Sequence, residues 1–294
     1  MSIKLTIDTR AKINLTLDII NKRKDGYHNV SMVMQTINLF DTLVFEPTGG
    51  GMHLTCNHRS IPTNSDNIIL QAAFKLKEKY GVKQGASVQL VKRIPIEAGL
   101  AGGSSNAAGT LMVLNELWRL HLGRDELLKI ASSLGADVPF CMMEGTALAQ
   151  GIGEKLMPIK GFPLFYVVLV KPDIGISTPW AYCQVDTDKI STHPDNSKMI
   201  SVIANQDKEG IANTLGNVFE EFIFPHHPEL KIIKNKFKEL GAIGQLMSGS
   251  GPTIYGLFYD EDKAMEAKNV FDHMYNEVFI AQTYNKDKEE NHGV

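Results

Sequence analysis

The sequence predicts an α+β protein of two domains. At 294 residues the chain is about twice as long as an ordinary domain. Short strand patterns alternate with helical patterns through both of its halves. The stretch from Gly145 to Pro163 is rich in glycine and is the best candidate for a boundary. We therefore expect domains at 1–158 and 159–284, followed by a polar, disordered tail at 285–294.

The first half contains both kinds of element. Apolar runs between turn residues predict strands at 3–8, 13–20, 30–39 and 86–91. Apolar residues recur on one face of 66–80, which predicts a helix that Ser65 or Asp66 can cap and that Gly81 ends. Two more helices are expected at 106–120, apolar almost all round and hence buried, and at 125–134.

The second half repeats the alternation. A continuous apolar run at 164–170 predicts a buried strand. Helical periodicity predicts helices at 211–221, 229–240 and 261–275. Between and after them, strands are expected at 242–247, 253–259 and 278–283.

Composition excludes several classes of protein. With 30 basic and 33 acidic residues the net charge is −3, whereas a nucleic-acid-binding protein usually carries a basic excess. The longest apolar runs have about six residues, but a membrane helix needs about 20. The first twenty residues carry several charges, so we expect no signal peptide. Three dispersed cysteines argue against a zinc site and indicate the cytoplasm, and His226 and His227, each beside a proline, are interpreted as loop residues.

The strongest motif is a glycine- and serine-rich loop before the helix at 106–120. Its glycines allow positive φ and close approach of a ligand, and its serines can cap the helix or reach a phosphate or its Mg²⁺. The helix would direct its N–H groups at an anion. A flexible turn is the alternative. The loop consists of Pro95, Ile96, Glu97, Ala98, Gly99, Leu100, Ala101, Gly102, Gly103, Ser104 and Ser105.

This loop fits neither common nucleotide-binding motif. A P-loop needs Gly-Lys-Ser/Thr after the glycines, which is missing, and a Rossmann fingerprint needs a βαβ setting and an acidic residue that binds ribose. Because the loop has no lysine, a bound phosphate needs a cation from elsewhere.

Lys12 and Asp137 are the candidates for phosphoryl-transfer chemistry. Lys12 and Asn14 fall on one face of a strand, and Asp137 follows the helix at 125–134. A lysine would neutralise developing charge while a carboxylate takes the hydroxyl proton. Alternatively, Lys12 faces solvent at a sheet edge and Asp137 only caps a turn.

Three segments resemble the motifs of the GHMP kinases, which include galactokinase, homoserine kinase and mevalonate kinase. They are Ala11–Leu15, the glycine-rich loop and 248–253. Together with the Asp-Gly-Tyr-His sequence that ends at His28 and the Leu-Gly-Ala-Asp-Val-Pro sequence around Asp137, they resemble members whose substrate carries a cytidine diphosphate. The resemblance runs from about residue 3 to residue 284.

The resemblance implies a two-domain GHMP kinase fold. Its N-terminal domain binds ATP and contains a left-handed βαβ unit, against the usual right-handed rule, and its C-terminal domain is ferredoxin-like. It also implies ATP and Mg²⁺ as cofactors. The ligands of Mg²⁺ are not assigned, and Ser105, the phosphates and water are the candidates. The partner would be a small-molecule substrate, a cytidine diphosphate derivative, and we expect the protein to bind neither nucleic acid nor a membrane. The enzyme would be a monomer or homodimer in the cytoplasm.

Family roles transfer to matching positions only. Lys12 and Asp137 match the catalytic pair, and 95–105 matches the loop that binds the ATP phosphates. Asn67 and Lys92 match positions beside adenine and ribose. The positions that match the cytidine pocket and its surroundings are Tyr27, His28, Tyr182, Asn14 and Thr178.

Two departures from the family motifs and two alternative functions stay open. Arg10 stands where the family usually has proline, and Ala101 replaces a loop glycine. One alternative is a GHMP kinase that acts on another small alcohol, which the aromatic and imidazole pair Tyr27–His28 argues against. The other is a nucleotide sensor without catalysis, which we would expect to have lost Lys12 or Asp137.

Overall fold

The computed structural model describes residues 4–285, so residues 286–294 of the predicted tail lie outside the described residues. Within 4–285 the helices are α1 (Ile68–Tyr80), α2 (Gly102–Leu117), α3 (Arg124–Ser132), α4 (Val138–Met143), α5 (Thr178–Gln184), α6 (Asn196–Ala204), α7 (Lys208–Thr214), α8 (Phe219–Ile223), α9 (Pro228–Glu239) and α10 (Glu261–Asp272). The strands are β1 (Leu5–Lys22), β2 (His28–Thr48), β3 (Met52–Cys56), β4 (Gly85–Val91), β5 (Thr146–Gly151), β6 (Lys155–Ile159), β7 (Tyr166–Lys171), β8 (Gly216–Asn217), β9 (Gly244–Met247), β10 (Ile254–Phe258) and β11 (Glu277–Gln282). The mixed α+β class is thereby confirmed.

The chain forms two compact units whose segments alternate along the sequence. Of the described residues, one unit contains 4–11 together with Phe40–Ile94 and Ala101–Met143. The other contains Lys12–Leu39, Pro95–Leu100 and residues 144–285. Strands β1 and β2 contribute residues to both units. The boundary at 158/159 stays a prediction.

In the first unit, β3, β4 and part of β2 accompany four helices. Strand β3 pairs with β4 in parallel, and β4 pairs antiparallel with residues 42–48 of β2. Helix α1 connects β3 to β4, which makes a βαβ unit whose handedness stays a prediction. Helix α2 packs against α1, α3 and α4, and its buried length agrees with its almost wholly apolar sequence.

Strands of two sheets belong to the second unit. In one, β2 lies beside β1 and pairs antiparallel with β5, and β8 lies parallel to β1. The other is antiparallel with strand order β11-β7-β10-β9. Helix α9 precedes β9 and α10 connects β10 to β11, an arrangement that fits the ferredoxin-like domain that the resemblance implies.

Three predicted element boundaries are wrong. The strands expected at 3–8 and 13–20 are one strand, β1. The polar residues between them continue the strand because their side chains find buried partners: the Thr9 hydroxyl, for example, donates to the Asp41 carbonyl. Asn67 caps α1 by accepting from the Ile69 N–H, so neither Ser65 nor Asp66 does so. Helix α2 begins at Gly102, four residues before its expected start.

The helix expected at 211–221 is also wrong, since the chain forms α7, β8 and α8 there. Asn217 explains the interruption. Its side-chain amide donates to the carbonyls of Met247 and Gly249, 2.8 Å each, while its oxygen accepts from the Phe219 N–H. Because the two carbonyls are distant in sequence, these tertiary hydrogen bonds override the helical pattern.

Candidate active site

The glycine-rich loop ends in the start of helix α2, where Gly103 is exposed. Ala101 precedes the helix with φ +57°, and no side chain caps its first turn. The first intrahelical bond runs from the Ser105 N–H to the Ala101 carbonyl, so the N–H groups of Gly102, Gly103 and Ser104 have no intrahelical acceptor. Such a helix end is suited to bind an anion.

The predicted helix-capping role of the two serines is wrong. Ser104 and Ser105 lie inside the first turn of α2. The Ser105 hydroxyl is buried and donates to the Arg10 carbonyl, so it anchors the helix to β1. Because the first turn keeps its N–H groups uncapped by side chains, the correction favours the anion site.

Gly99 fixes the middle of the loop against the 248–253 segment. It has φ +71°, and a Cβ added there would lie 2.1 Å from the Ser248 carbonyl oxygen. Its own carbonyl accepts from the Ser248 hydroxyl at 2.9 Å. Glycine is therefore required at this position for both conformation and space.

Lys12 lies at this loop and not at a sheet edge. Its side chain is buried, and its Nζ donates to the Asn14 Oδ1 at 2.7 Å and to the Gly99 carbonyl at 2.9 Å. Its backbone N–H donates to the Leu100 carbonyl. The alternative of a solvent-facing lysine is thereby wrong, and the loop gains the cation that its own sequence lacks.

Asn14 faces the protein interior and has no exposed surface. Its Oδ1 accepts from Lys12 Nζ and from the Gly249 N–H at 3.0 Å, and its Nδ2 lies 3.3 Å from the Met32 Sδ. Its backbone carbonyl accepts from the buried Tyr255 hydroxyl. These contacts orient Lys12. The Asn14 side chain, which the resemblance assigned to the surroundings of the cytidine pocket, is therefore engaged within the protein.

Asp137 directly precedes α4, and its backbone carbonyl accepts from the Cys141 N–H. Its side chain is half-buried. Among residues 4–285 no hydrogen bond or ion pair of its carboxylate is present. Its carboxylate is therefore uncommitted, as a general base requires.

The two residues matched to adenine and ribose are committed to the protein. Asn67 caps α1 and donates to the Pro62 carbonyl at 2.7 Å. Lys92 is 5% exposed and forms an ion pair with the fully buried Asp41, 2.6 Å from Nζ to Oδ2. Burial lowers the pKa of Lys92, and the neighbouring carboxylate opposes that effect.

Among the positions matched to the cytidine pocket, His28 stacks on Tyr182 with ring centroids 5.1 Å apart and an interplanar angle of 24°. Tyr182 also contacts the Phe219 ring in a T-shaped arrangement, with ring centroids 4.9 Å apart. Burial and the charge of Lys22 lower the pKa of His28, which favours its neutral imidazole. The structure thus brings together two of the residues matched to the cytidine pocket.

Tyr27 and Thr178 complete the predicted set. The turn before Tyr27 is fixed by the Arg23–Asp25 ion pair at 2.7 Å and by the Asp25 carboxylate, which accepts from the Tyr27 N–H. The Tyr27 ring is 62% exposed, so it does not pack in a core. Thr178 begins α5 and lies within hydrogen-bonding distance of the Ser250 hydroxyl, 3.2 Å.

Sequence reasoning missed three residues around the loop: Asp41, Asn217 and Ser248. Asp41 and Asn217 stand singly in apolar surroundings, where a sequence pattern gives no signal. Ser248 begins the 248–253 motif, which could have indicated its contact with the loop. The two residues of the predicted catalytic pair belong to different compact units, Lys12 to one and Asp137 to the other.

Comparison with known families and proteins gives a uniform result. Residues 67–145 match the GHMP kinases N-terminal domain, and residues 199–279 match the GHMP kinases C-terminal domain. A 4-diphosphocytidyl-2-C-methyl-D-erythritol kinase of Clostridium kluyveri is 43% identical over 279 residues, 95% of this chain and all of the relative. A kinase of the same name from Bacillus cytotoxicus is 47% identical over 261 residues, 88% of this chain and 90% of the relative.

Solved structures agree. A crystal structure of 4-(cytidine 5'-diphospho)-2C-methyl-D-erythritol kinase is similar with a TM-score of 0.83 and 31% identity, over 96% of this chain and all of that one. The Leishmania major mevalonate kinase in complex with R-mevalonate has a TM-score of 0.77 at 16% identity, over 97% and 99% of the two chains, which shows the shared fold alone.

Proposed function

Since this chain belongs to the GHMP kinase family, we propose that it transfers the γ-phosphoryl group of ATP to the 2-hydroxyl of 4-diphosphocytidyl-2-C-methyl-D-erythritol. GHMP kinases use ATP. The products would be ADP and the 2-phosphate of the substrate, an intermediate of non-mevalonate isoprenoid biosynthesis. The observation that carries the proposal is the Lys12 ammonium bonded to the glycine-rich loop.

In the proposed reaction, Asp137 accepts the proton of the attacking hydroxyl. The new O–P bond forms as the bond between the γ-phosphorus and the leaving oxygen of ADP breaks. The Lys12 ammonium, oriented by Asn14, neutralises the charge that develops on the phosphoryl oxygens. The free N–H groups at the start of α2 bind the triphosphate.

Mg²⁺ belongs to this proposal. Among residues 4–285 no group of three or more His, Cys, Asp or Glu side chains could hold a metal ion. This fits a magnesium ion that is held mainly by phosphate oxygens and water, as is common for Mg²⁺ with nucleotides. Ser105 is the candidate protein ligand, although its hydroxyl already donates to the Arg10 carbonyl. The ion would supply further neutralisation of the triphosphate.

Cytidine recognition is assigned to the stacked pair of His28 and Tyr182, with the exposed Tyr27 nearby in sequence. A pyrimidine that stacks on an aromatic face gains about 1–3 kcal/mol. Since the base is remote from the reacting hydroxyl, its binding energy can orient that hydroxyl.

No helix among residues 4–285 combines the length and the apolar character needed to cross a membrane. We further propose that the enzyme works in the cytoplasm as a monomer or homodimer, without nucleic acid. The domain boundary at 158/159 and the left-handed βαβ unit also stay proposals.

A coupled assay of ADP release tests the proposal, with homoserine and mevalonate as control substrates and mass spectrometry of the product. We expect turnover of the cytidine substrate alone. Asp137→Asn keeps the size of the side chain but removes its basicity, so it should lower kcat by roughly 10²–10⁴ with little change in ATP affinity. Preference for another alcohol would refute the substrate, and an Asp137→Asn variant within about threefold of the parent would refute the base.

A further inference from the structure

We propose that Asp41 is a positioning residue for ATP binding. Its carboxylate holds in place the two chain segments that flank the glycine-rich loop. It does not touch the ligand, because its side chain is fully buried. This inference rests on the proposed function, in that it assumes that the loop binds the triphosphate of ATP.

The Asp41 carboxylate accepts four hydrogen bonds. Its Oδ1 accepts from the backbone N–H groups of Arg93, 2.7 Å, and Ile94, 2.8 Å. Its Oδ2 accepts from Lys92 Nζ, 2.6 Å, and from Asn106 Nδ2, 2.9 Å. Ile94 is the residue before the loop, and Asn106 is in the helix after it. One carboxylate therefore tethers both segments to strand β2.

Lys92 completes the tether on the side that precedes the loop. Its Nζ donates to the Ile94 carbonyl at 2.6 Å in addition to Asp41. Both polar backbone groups of Ile94 are thus held by one buried ion pair. A Cβ added to Gly102 would lie 2.9 Å from Lys92 Nζ, so the ammonium also lies at the start of α2.

The Asn106 tether has a second anchor. Asn106 Nδ2 also donates to the Thr9 hydroxyl at 2.9 Å, and that hydroxyl donates to the backbone carbonyl of Asp41. The first turn of α2 therefore cannot shift without breaking buried hydrogen bonds. N–H groups held in place before binding cost little to order around a phosphate.

The effect on ATP is separable from an effect on folding. Loss of the Asp41 charge leaves the Lys92 ammonium buried and unpaired, which destabilises the protein. In Asp41→Asn the amide NH2 also replaces the oxygen that accepts from Asn106, which releases the start of α2 and weakens triphosphate binding. Replacing Lys92 as well removes the unpaired charge and restores stability, but it does not restore the tethers.

The experiment measures affinities for ATP and for the cytidine substrate by calorimetry, together with thermal unfolding, in Asp41→Asn and in Asp41→Asn/Lys92→Met. We expect ATP affinity to fall at least about tenfold in both variants, with affinity for the cytidine substrate within about twofold of the parent. The double variant should recover Tm relative to Asp41→Asn. Recovery of ATP affinity along with Tm, or equal loss for both ligands, would overturn the proposal.

Asn115→Ala is the matched control, since Asn115 binds both polar backbone groups of Leu122 near the other end of α2. It should lower Tm with ATP affinity unchanged. If Asp41→Asn does not fold, Asn106→Leu removes the helix tether alone. It should still lower the affinity for ATP more than the affinity for the cytidine substrate. Because ATP binding is measured directly, a parent that binds ATP but phosphorylates another alcohol would refute the proposed substrate and leave this test intact.

Discussion

The phosphate side and the base side of the candidate site are built differently. Around the glycine-rich loop, buried polar groups such as Lys12, Asn14 and Asp41 bind one another or the backbone. On the base side, His28 and Tyr182 stack ring on ring, and Tyr27 lies exposed. In the proposed reaction, this difference would give the reacting phosphoryl group a pre-organised frame and the recognised base an adaptable surface. Four predictions test this contrast.

Lys12→Ala should have the largest effect, because it removes the charge on which the phosphate side depends. We expect kcat to fall by roughly 10²–10⁴, comparable to Asp137→Asn. Steady-state kinetics with saturating ATP measures it. Lys4→Ala, which removes an exposed lysine near the start of β1, is the control and should leave kcat unchanged. A Lys12→Ala enzyme with nearly normal kcat would contradict the role of the ammonium.

Gly103→Val should have the second-largest effect, a loss of ATP affinity. The nearest atom to an added Cβ is the Ile68 Cγ2 at 3.9 Å, so the protein itself has room for it. Bulk at the start of α2 should therefore obstruct the ligand and weaken ATP binding by about tenfold or more. Gly123→Ala at the start of α3, where a Cβ also meets open space, is the control. Unchanged affinity in a folded Gly103→Val protein would exclude the loop as the triphosphate site.

Tyr182→Ala and His28→Ala test the base side. Each should lower kcat/KM for the cytidine substrate by roughly tenfold while ATP affinity is spared. Tyr182→Phe keeps the ring and should stay close to the parent. The parent should phosphorylate 2-C-methyl-D-erythritol 4-phosphate poorly, since that compound lacks the base. Equal use of the two compounds would show that the stacked pair does not recognise cytidine.

Ala101→Gly should have the smallest effect, which we predict for stability. Ala101 has φ +57°, which costs an L-residue roughly 1–2 kcal/mol and glycine almost nothing, although glycine gains entropy in the unfolded chain. We expect stabilisation of up to about 1 kcal/mol, measured by chemical unfolding. Destabilisation would mean that alanine is not strained there. This departure from the family motif would then need another explanation.

The sequence was sufficient for the fold class, the family and the loop, because each depends on local patterns. The glycine-serine loop and the Ala-Lys-Ile-Asn-Leu motif are continuous in the chain. The mixed α+β class, the GHMP kinase fold and the enzyme class are confirmed by the structure and by the relatives. The roles of individual site residues stay predictions.

Long-range hydrogen bonds determine what the sequence could not predict. Asn217 interrupts a helical pattern by binding carbonyls about thirty residues away. Ser105 was expected to cap α2, but its hydroxyl reaches the backbone of β1. In each case a polar side chain takes a partner that only the folded chain brings near.

The alternation of the two compact units along the chain has a consequence for synthesis on the ribosome. The first unit is complete in sequence once Met143 has emerged, but Lys12–Leu39 and Pro95–Leu100 belong with residues made later. Those segments must wait for their partners, at about 5–20 residues per second. We therefore expect β1 and β2 of the nascent chain to lack their later partners β8 and β5 for several seconds, because both of those strands are made after residue 145.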